Sequence, residues 1–457
     1  MRYFIYGAGV LGLKLADEVS QNGHSFGGFI DDDVEKVGQK VFDNLVIKPE
    51  QIISHVDTHD IIIICFPSLP RYKILEKAFA VFRLGCQNIR IVPDYFEILK
   101  IMLTLPGFDT DLFSTLISIE NFRPNEKAIF TDQSIVITGA GGSIGSRLCF
   151  EAVLQNCKTL IINDVSESSL FEIEKSLLTF IDALGQKTEL IVVLGDVSKD
   201  FVSTELLNMG VDLVIHAAAY KHVEMGQRSN RAVIENNVRA TQTLVGSLNG
   251  HQVKNFILVS SDKAVNPTNF MGFSKLLCEE IVLNAQKLNK NIDFKIVRFG
   301  NVLGSSGSVI PIFRNAIRSN SPLYVRGENS SRFFMTIEEA AELICKVANL
   351  GKGGEKYVLD MGESVRILDL ATCVAKLEGF DSTSNPYPIK VVELLAGEKE
   401  HEELCSGIVS NTSDRRILQV TDETTTSNYL RSVPAFTDLH ECQWYLDLLN
   451  DVGLNHV

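Results

Sequence analysis

Short runs of consecutive apolar residues recur along the chain, and most are followed by stretches whose apolar residues lie three or four positions apart. The first run, Tyr3–Tyr6, leads through Gly7–Gly12 into such a stretch, with Leu11, Leu15 and Val19 on one helical face. A continuous apolar run suits a strand buried on both faces, and the wider spacing suits an amphipathic helix. The alternation therefore predicts a parallel sheet connected by helices.

A second series of the same kind begins at Ser134–Thr138, and a Gly-rich turn, Gly139–Gly145, follows it directly. Five more apolar runs come after this turn, at residues 160–163, 190–194, 213–216, 256–259 and 294–297. Helical stretches separate most of them, as a doubly wound sheet requires. The sequence therefore predicts an α/β fold with two Rossmann-like, doubly wound parallel-sheet domains.

Changes in this pattern mark the expected domain boundaries. The first series ends near Leu105, where Pro106-Gly107 interrupts it, and a connector with little periodicity follows. From Asn301 onward, polar and Pro-containing segments mix with short helices such as Ile337–Leu350, and Thr424–Ser427 is expected to be a loop. We expect a first Rossmann-like domain, a linker, a second Rossmann domain and a smaller substrate-covering subdomain with the C-terminal region, at residues 1–105, 106–133, 134–300 and 301–457.

Composition narrows the class of protein. A formal net charge of −14 argues against a nucleic-acid surface, which needs concentrated Lys and Arg, although a local cluster can still bind one small anion. Nine Cys residues without CxxC spacing indicate reduced thiols and no zinc site. The longest apolar run, Ile61–Phe66, is too short to cross a membrane, and no secretory signal opens the sequence. We expect a cytoplasmic protein without a bound metal or a membrane span.

The second Gly-rich turn has the spacing of a dinucleotide site. Gly139 permits the tight turn, Gly142 lets the backbone approach a pyrophosphate, and Gly145 lets the following helix pack on the strand. The helix N-terminus at Ser143-Ile144 offers N–H groups and a positive dipole to the phosphates. Asp164 follows at the end of the next strand, where a carboxylate binds the adenosine ribose hydroxyls. No Arg flanks it to accept a 2′-phosphate, so the pattern predicts NAD as the cofactor.

The first Gly-rich turn has a related spacing, with Gly7, Gly9 and Gly12 followed by Asp31 at the end of the next strand. No candidate reacting group follows it, and this motif alone is weak evidence for a ligand. The turn is compatible with a nucleotide or sugar-nucleotide site, and equally with a structural or oligomerising role. The sequence therefore gives no reason to assign it a ligand.

Three candidate reacting groups follow one of the predicted strands. Ser261, Asp262 and Lys263 place a hydroxyl, a carboxyl and an amine at the strand end, and Lys275 lies on the next predicted helix. Beside a dinucleotide, such groups indicate redox-coupled acid–base chemistry. In an arbitrary sequence an Asp-Lys pair is more often a solvated surface ion pair, but the preceding strand favours the functional interpretation. His216, at another strand end, is interpreted as a satisfied core histidine.

These groups and the motifs around them resemble the extended short-chain dehydrogenase/reductases. In those enzymes a Ser or Thr at a strand end and a YxxxK pair flank the nicotinamide; here Lys275 matches the Lys, and Met271 stands where Tyr is usual. Within that superfamily the chain resembles the long UDP-N-acetylglucosamine 4,6-dehydratases of polysaccharide biosynthesis. The matching motifs cover about residues 134–405, at residues 138–146, 216–223, 262–269, 297–309 and 359–363. Long members also carry a soluble Rossmann unit like residues 1–105, usually preceded by transmembrane helices that find no match in this sequence.

The resemblance implies an NAD-dependent lyase reaction on a nucleotide sugar. Hydride leaves sugar C4, the resulting ketone acidifies the C5 proton, water is lost across C5 and C6, and hydride returns to C6. Asp262 is then expected to protonate the departing C6 hydroxyl, Lys263 to abstract the C5 proton and Ser261 to bond the C4 oxygen. Lys275 is expected to hold the nicotinamide ribose. Because Met271 cannot donate a proton, Asp262 or a water molecule is expected to take the C4 hydroxyl proton.

Candidate ligand contacts follow from the motifs and from the resemblance. Cofactor contacts are expected from Gly139, Gly142, Ser143, Ile144, Gly145, Asp164, Asp196, Val197, Ala217, Ala218 and Lys275. Lys221, Asn301 and Arg332 are the candidates for substrate contact, the last two at the nucleotide diphosphate. A homo-oligomer is the usual assembly for this resemblance.

Two departures from the family pattern leave the substrate open. Relatives usually show Arg-Pro before Gly397-Glu398-Lys399, and the segment before Arg332 lacks their common His-Pro-Asp pattern. Both departures lie in the substrate half, so a GDP- or CMP-linked sugar stays an alternative. A nucleotide-sugar 4-epimerase would use the same transient oxidation at C4 but needs neither a C6 acid nor a C5 base. A non-catalytic NAD-sensing protein is the third alternative, and the acid, the amine and Lys275 count against it.

Overall fold

The computed structural model describes residues 2–100 apart from 43, 58, 67–68, 94–96 and 98, together with residues 128–380 and 385–421. The chain forms two compact units, one of Met1–Ala128 with Leu178–Lys187 and one of Ile129–Leu177 with Thr188–Val457. Residues 106–127 of the expected linker, the expected loop Thr424–Ser427 and the rest of the chain after residue 421 lie outside the described residues.

Six strands in the described part of the first unit form one sheet. The elements of this unit in chain order are β1 (Arg2–Tyr6), α1 (Val10–Gln21), β2 (Ser25–Ile30), β3 (Lys40–Val41), β4 (Asn44–Ile47), α2 (Ile52–His55), β5 (Ile61–Ile64), α3 (Arg71–Arg83) and β6 (Ile89–Ile91). The strand order is β3-β4-β2-β1-β5-β6, and every neighbouring pair except β3–β4 is parallel. The four Ile residues of β5 are all buried, as expected for a parallel strand covered on both faces.

The remaining elements belong to the second unit, apart from the part of the Glu167–Leu184 helix after Leu177, which belongs to the first unit. The first part of the second unit comprises β7 (Ser134–Thr138), α4 (Ser143–Leu154), β8 (Thr159–Asp164), α5 (Glu167–Leu184), β9 (Glu189–Leu194), α6 (Asp200–Leu207), β10 (Leu213–His216), α7 (Val223–Arg228), α8 (Asn230–Ser247), β11 (Asn255–Val259), α9 (Phe270–Leu288) and β12 (Asp293–Arg298). Its second part comprises β13 (Asn301–Leu303), α10 (Val309–Arg318), β14 (Leu323–Arg326), β15 (Ser331–Arg332), β16 (Phe334–Thr336), α11 (Ile337–Val347), β17 (Lys356–Leu359), β18 (Val365–Arg366), α12 (Ile367–Leu377), β19 (Ile389–Val392), β20 (Ile408–Asn411) and β21 (Ile417–Thr421). A short 3-10 helix, Asp262–Ala264, lies between β11 and α9.

Nine strands of the second unit form one sheet, in the order β20-β21-β17-β12-β11-β10-β7-β8-β9. Pairs from β9 to β17 are parallel, whereas β21 pairs antiparallel with both β17 and β20. The unit starts at β7 in the middle of the sheet and the chain winds outward in both directions, so the carboxyl ends of β7 and β10 are neighbours. The predicted α/β fold with two parallel-sheet units is confirmed.

The large sheet continues past residue 300, where the sequence places the start of the smaller subdomain. β17, β20 and β21 come from later in the chain and extend the sheet beyond β12. The other late strands form three two-stranded pairs, β13–β16, β14–β19 and β15–β18. Residues after 301 therefore serve partly as an edge of the large sheet and partly as separate small layers.

A continuous apolar core holds the strand ends of this large sheet in place. Buried apolar side chains of β7 to β12 pack against α6, α8 and α9, and they include the fully buried Phe256 of β11 and Phe273 of α9. Close packing of this kind fixes the position of the residues that follow each strand. Over the described part of the chain, no helix has both the length and the apolar character needed to cross a membrane.

Candidate active site

The Gly139–Gly145 turn joins β7 to α4 in a space too small for side chains. Gly139 has a φ of +69°, and a Cβ there would lie 2.7 Å from the backbone nitrogen of Ala218. A Cβ on Gly145 would lie 1.9 Å from the Gly139 carbonyl oxygen. Because both positions are Gly, α4 starts directly against the end of β7.

The start of α4 offers donors to an anion. Gly142 precedes the helix, and within the described residues no side chain caps its first turn, which contains Ser143 and Ile144. N–H groups of an uncapped first turn, together with the helix dipole, favour a phosphate. The Ser143 hydroxyl accepts a hydrogen bond from the Ser306 N–H at 3.1 Å, which brings the loop after β13 beside the turn.

Asp164 closes the turn from the neighbouring strand. It is the last residue of β8, and its carboxylate accepts hydrogen bonds from the N–H groups of Gly141 and Ser166, at 2.8 and 2.9 Å. A carboxylate with these two bonds keeps lone pairs for ribose hydroxyls. Asp196 follows β9 and its carboxylate accepts from the Ser198 N–H at 2.9 Å, while the adjacent Val197 is buried.

Ala217 and Ala218 follow β10 and complete the rim of the turn. The Ala217 N–H donates to the Thr138 carbonyl at 3.2 Å, and the Ala218 N–H donates to the Thr138 hydroxyl at 3.4 Å. These bonds hold the backbone after β10 against Gly139. The carboxyl ends of β7, β8 and β10 thus meet at one edge of the sheet, which is the arrangement that a dinucleotide site requires.

His216 lies beneath this rim as a core residue. Its side chain is buried, with Nδ1 at 2.8 Å from the Thr138 hydroxyl and Nε2 at 3.2 Å from the Thr241 hydroxyl. Burial, with a further contribution from the charge of Lys275, lowers the pKa of His216 to about 3. The interpretation of His216 as a satisfied core histidine is confirmed.

Ser261, Asp262 and Lys263 follow β11 and form a hydrogen-bonded group with Asn301. Asp262 Oδ1 accepts hydrogen bonds from the Ser261 hydroxyl at 2.8 Å and from the Lys263 ammonium at 2.9 Å. The same ammonium donates to Asn301 Oδ1 at 3.1 Å. Asn301, which the sequence analysis places at a diphosphate, therefore contacts Lys263 in this structure.

The Asp262–Lys263 pair is buried, unlike a solvated surface pair. The Asp262 side chain is fully buried, and that of Lys263 is 16% exposed. Among the described residues, Asp262 Oδ2 has no hydrogen-bond partner, and a Cβ on Gly300 would lie 3.2 Å from it. A buried carboxylate oxygen without a donor costs free energy, and a substrate hydroxyl is a donor that would relieve this cost.

Helix α9 is held closely against the Asp262–Ala264 turn. The Asn269 side chain caps the helix by accepting from the Gly272 N–H at 2.8 Å. A Cβ on Gly272 would lie 2.1 Å from the Lys263 carbonyl oxygen, so Gly permits this close approach. Met271 is buried in the first turn of α9, and Lys275 follows one helical turn later.

The Lys275 ammonium points back to the end of β11. Its side chain is buried and donates to the Val259 carbonyl at 2.9 Å. Burial lowers the pKa of Lys275, and the nearby Cys278 and Glu279 oppose this effect. The structure thus places a buried cation on the strand that leads into Ser261, where it can stabilise negative charge.

A buried ion cluster fixes the elements that carry the site. Glu279 of α9 accepts hydrogen bonds from the Ser260 hydroxyl at 2.5 Å and from Arg298 at 2.8 and 2.6 Å. Lys356 of β17 lies 3.4 Å from the same carboxylate. Burial acts to raise the pKa of Glu279, but the charges of Arg298 and Lys356 together bring it below its usual value. The cluster ties β11, α9, β12 and β17 together next to Ser261.

Arg332 and Lys221 differ in how they are connected to the Ser261–Lys263 group. Arg332 donates to the carbonyl oxygens of Ser331 and Glu400 at 2.7 and 3.0 Å, and its Nε lies 3.9 Å from Glu402 Oε1. Arg332 is therefore linked through Glu402 to the Lys263 region. Lys221 is exposed in the loop after β10, and no hydrogen bond or ion pair found among the described residues joins it to this group.

Glu402 and Lys399 belong to the site but are missed by the sequence analysis. The Glu402 side chain is only 4% exposed, and its carboxylate lies 3.8 Å from the Lys263 ammonium and 3.9 Å from the Lys399 ammonium. The Gly397-Glu398-Lys399 segment is a visible motif, but no local periodicity indicates that Glu402 is buried. Only the tertiary fold brings it to Lys263.

A family model described as a polysaccharide biosynthesis protein matches residues 135–421, the range that contains the Gly139–Gly145 turn, the Ser261–Lys263 group and Glu402. The chain belongs to this family. Among curated relatives, the capsular polysaccharide biosynthesis protein CapD of Staphylococcus aureus is 38% identical over 275 residues, 60% of this chain and 45% of that protein. The probable polysaccharide biosynthesis protein EpsC of Bacillus subtilis is 34% identical over 383 residues, 82% of this chain and 63% of that protein. The chain thus spans between about half and two thirds of the length of these two relatives.

Two further relatives carry different enzyme names. A UDP-N-acetylglucosamine 4,6-dehydratase (inverting) of Campylobacter jejuni is 30% identical over 281 residues, 61% of this chain and 79% of that protein. A UDP-glucose 4-epimerase of Rickettsia bellii is 30% identical over 282 residues, with the same two shares of 61% and 79%. Family membership therefore leaves open which of these reactions applies.

Solved structures share the fold of the second unit. The X-ray structure of Pen from Bacillus thuringiensis has a TM-score of 0.56 and 29% identity, covering 64% of this chain and 88% of that chain. The dTDP-glucose 4,6-dehydratase DesIV from Streptomyces venezuelae, solved with NAD and TYD bound, has a TM-score of 0.52 and 20% identity, covering 69% of this chain and 99% of that chain. At that identity, the likeness to DesIV shows a common fold.

Proposed function

We propose that this protein is an NAD-dependent nucleotide-sugar 4,6-dehydratase, a lyase of surface-polysaccharide synthesis, with UDP-N-acetylglucosamine as its substrate. The observation that carries the proposal is the buried contact of 2.9 Å between Asp262 and Lys263 at the end of β11. An acid and an amine held together in this position suit a reaction that removes a proton and a hydroxyl from adjacent carbons. The Campylobacter jejuni relative supports the same reaction, and the family match supports a role in polysaccharide synthesis.

The residues of the Gly-rich turn fit NAD. The uncapped start of α4 suits a pyrophosphate, and Gly139 and Gly145 keep side chains out of the approach to it. Asp164 at the end of β8 suits the adenosine ribose hydroxyls, and Lys275 suits the nicotinamide ribose. When bound, NAD supplies the transient oxidation of sugar C4 and the later reduction of C6.

The proton transfers are assigned to three adjacent residues. Ser261 hydrogen-bonds the C4 oxygen, and Asp262 takes the C4 hydroxyl proton, because Met271 has no proton-transfer group. Lys263 then removes the C5 proton, which the C4 ketone has made acidic. Asp262 gives its proton to the C6 hydroxyl, which leaves as water, and the bond between C5 and C6 becomes a double bond. When C6 is reduced, Lys263 returns a proton to C5, which restores the amine. One carboxyl thus serves both ends of the reaction, and each such group contributes about 10²–10⁴-fold.

Binding of the nucleotide sugar is assigned to the late segments of the chain. Arg332 is proposed to bind the diphosphate, for which a guanidinium is well suited. Lys221, an exposed cation in the loop after β10, is proposed as a second substrate contact. Asn301 is proposed to act closer to the reacting carbons, since it bonds Lys263 at 3.1 Å. A homo-oligomer is proposed as the working assembly.

One assay tests the proposal against its alternatives. The protein is incubated in D₂O with NAD and a panel of UDP-, GDP- and CMP-linked sugars, and the products are analysed by mass spectrometry and NMR. Loss of one water with deuterium at C5 is the expected result for the UDP-linked N-acetylhexosamine. An isomer that has lost no water would support the 4-epimerase named among the relatives. Absence of turnover on the whole panel, with NAD bound, would support a binding protein.

A further inference from the structure

The 395–403 segment lies across the loop that precedes α9. Its Gly397 carbonyl accepts hydrogen bonds from the Thr268 hydroxyl at 2.9 Å and the Asn269 side chain at 3.1 Å. The Lys399 ammonium donates to the backbone of the same loop, at the Val265 carbonyl, over 2.7 Å. This loop connects the Asp262–Ala264 turn to α9, so the segment is fixed to the part of the chain that carries the proposed acid and base.

The other side of the segment is fixed to β15. The His401 Nδ1 lies 2.9 Å from the Ser331 hydroxyl, and the Glu400 carbonyl accepts from the Ser331 N–H at 2.9 Å and from Arg332 at 3.0 Å. Residue 402 is therefore held between two anchored neighbours. These bonds hold the Glu402 side chain in a position where it is only 4% exposed.

Three cations lie near the Glu402 carboxylate. This carboxylate lies 3.8 Å from the Lys263 ammonium, 3.9 Å from Arg332 Nε and 3.9 Å from the Lys399 ammonium. Among the described residues its Oε2 has no hydrogen-bond partner. Burial and the negative charge of Asp262 raise the pKa of Glu402, while the three cations act in the opposite direction.

We propose that Glu402 is a positioning residue for the Lys263 base, holding its ammonium together with Asp262 and Asn301. This inference rests on the proposed function and adds to it a residue that acts through Lys263 without touching the reacting carbons. When Lys263 takes the C5 proton it becomes a cation, and a carboxylate 3.8 Å away stabilises that cation. Glu402 thereby fixes the Lys263 amine in place and stabilises the charge that it gains.

The test is the pH dependence of C5 exchange in two neutral variants, Glu402→Gln and Glu402→Met. Without the carboxylate, the cation formed on proton abstraction is less stabilised, so the acidic limb of the pH profile of kcat/KM should move to lower pH by about 1 unit. On the plateau kcat should fall about tenfold, because a weaker base removes the C5 proton more slowly. NAD affinity should stay within about twofold, since Glu402 is assigned no contact with the cofactor.

Two control variants separate this role from a structural one. Glu402→Asp keeps the charge, so its acidic limb should stay near that of the unmodified protein. Glu400→Gln removes an exposed carboxylate from the same segment and should change neither the limb nor kcat. The use of two neutral variants covers the case in which one of them does not fold, which a thermal midpoint and NAD binding reveal.

The outcomes separate this inference from the proposed function. An acidic limb that does not move in a folded neutral variant, while the unmodified protein releases water and exchanges C5, overturns the role of Glu402 and leaves the dehydratase intact. A limb that moves equally in Glu400→Gln also overturns it, because any nearby charge would then suffice. If the unmodified protein neither exchanges C5 nor releases water, the proposed function fails first.

Discussion

The Lys263 ammonium is held by one neighbour in the sequence and by two residues that only the fold brings close. Lys263 lies beside Asp262 in the chain, and the fold adds Asn301 and Glu402 around its ammonium. A lysine surrounded by two carboxylates and an amide is well held, but it can act as a base only when its proton is lost. Its chemistry therefore depends on groups from three separate parts of the chain.

Replacement of this lysine gives the most direct test of the base. Lys263→Ala should lower water loss and C5 deuterium exchange by about 10²–10⁴-fold, because general-base catalysis contributes that much. NAD binding, measured by titration, should be unchanged, since the Gly-rich turn is formed by other residues. Lys287→Ala, at an exposed position near the end of α9, is the matched control and should keep full activity. Near-normal activity of Lys263→Ala would remove the base assignment.

His216 makes the stability of the protein depend on pH. Its folded-state pKa is about 3, whereas an unfolded histidine titrates near about 6.5. As the pH falls below about 6.5, this histidine is protonated in the unfolded chain but stays neutral in the folded chain. The free energy of unfolding therefore declines by about 1.4 kcal/mol per pH unit until about pH 3. Between pH 7 and 5 the unmodified protein should thus lose about 2 kcal/mol more than His216→Gln.

Denaturant titrations at the two pH values measure this difference. His59→Gln changes an exposed histidine and should leave the pH dependence as it is in the unmodified protein. Equal losses in the unmodified protein and in His216→Gln would show that this histidine is free to take up a proton in the folded state.

At the scale of elements, the site depends on how closely α9 approaches the Asp262–Ala264 turn. The contact leaves no room for a Cβ at Gly272, which would lie 2.1 Å from the Lys263 carbonyl oxygen. The buried Glu279 cluster then holds the same helix to β11 and β12. Because α9 and the Asp262–Ala264 turn are in such close contact, a small displacement of either would move Lys263.

A single methyl group at this contact should separate the two elements. Gly272→Ala should lower the free energy of unfolding by about 1–3 kcal/mol through overpacking and reduce turnover by about 10²-fold through misplacement of Lys263. Gly246→Ala adds the same methyl group in α8, where nothing lies within 4 Å. That variant should keep full turnover and gain about 0.5–1 kcal/mol from helix propensity. Thermal unfolding and the dehydration assay on both variants measure these effects, and full turnover in Gly272→Ala would contradict them.

The accuracy of the sequence predictions differs among elements for physical reasons. Strands buried on both faces, such as β10 and β11, were predictable to within one residue, because a short continuous apolar run is typical of a strand in the interior of a parallel sheet. β20 and β21 were not predicted as parts of the large sheet, since β20 is exposed and β21 is mostly half-buried. β17 has a short buried apolar run, but it was not assigned to this sheet from the sequence. The Ser261–Lys263 group was predictable because it is contiguous and follows a strand. Glu402 was not, because its burial arises from bonds made by its neighbours to distant residues.

At the scale of the whole molecule, the two compact units contain Gly-rich turns with nearly the same close contact. A Cβ on Gly12 would lie 2.0 Å from the Gly7 carbonyl oxygen, and a Cβ on Gly145 would lie 1.9 Å from that of Gly139. The nearby carboxylates also match, since Asp31 accepts from the Ala8 N–H and Asp164 from the Gly141 N–H, each at 2.8 Å. The same local geometry thus occurs in both units, whereas the candidate reacting groups that the sequence indicates all follow the second turn.

This pair of turns allows a matched comparison of what each unit contributes. Gly145→Ala should weaken NAD binding by at least about tenfold and lower turnover in proportion, because the added methyl group pushes α4 away from the end of β7. Gly12→Ala introduces the same clash in the first unit, so it should destabilise that unit while NAD affinity and turnover stay within about twofold. Isothermal titration with NAD and the dehydration assay measure both variants. An equal loss of turnover in Gly12→Ala would mean that the first turn also takes part in the reaction, and a ligand would then have to be sought there.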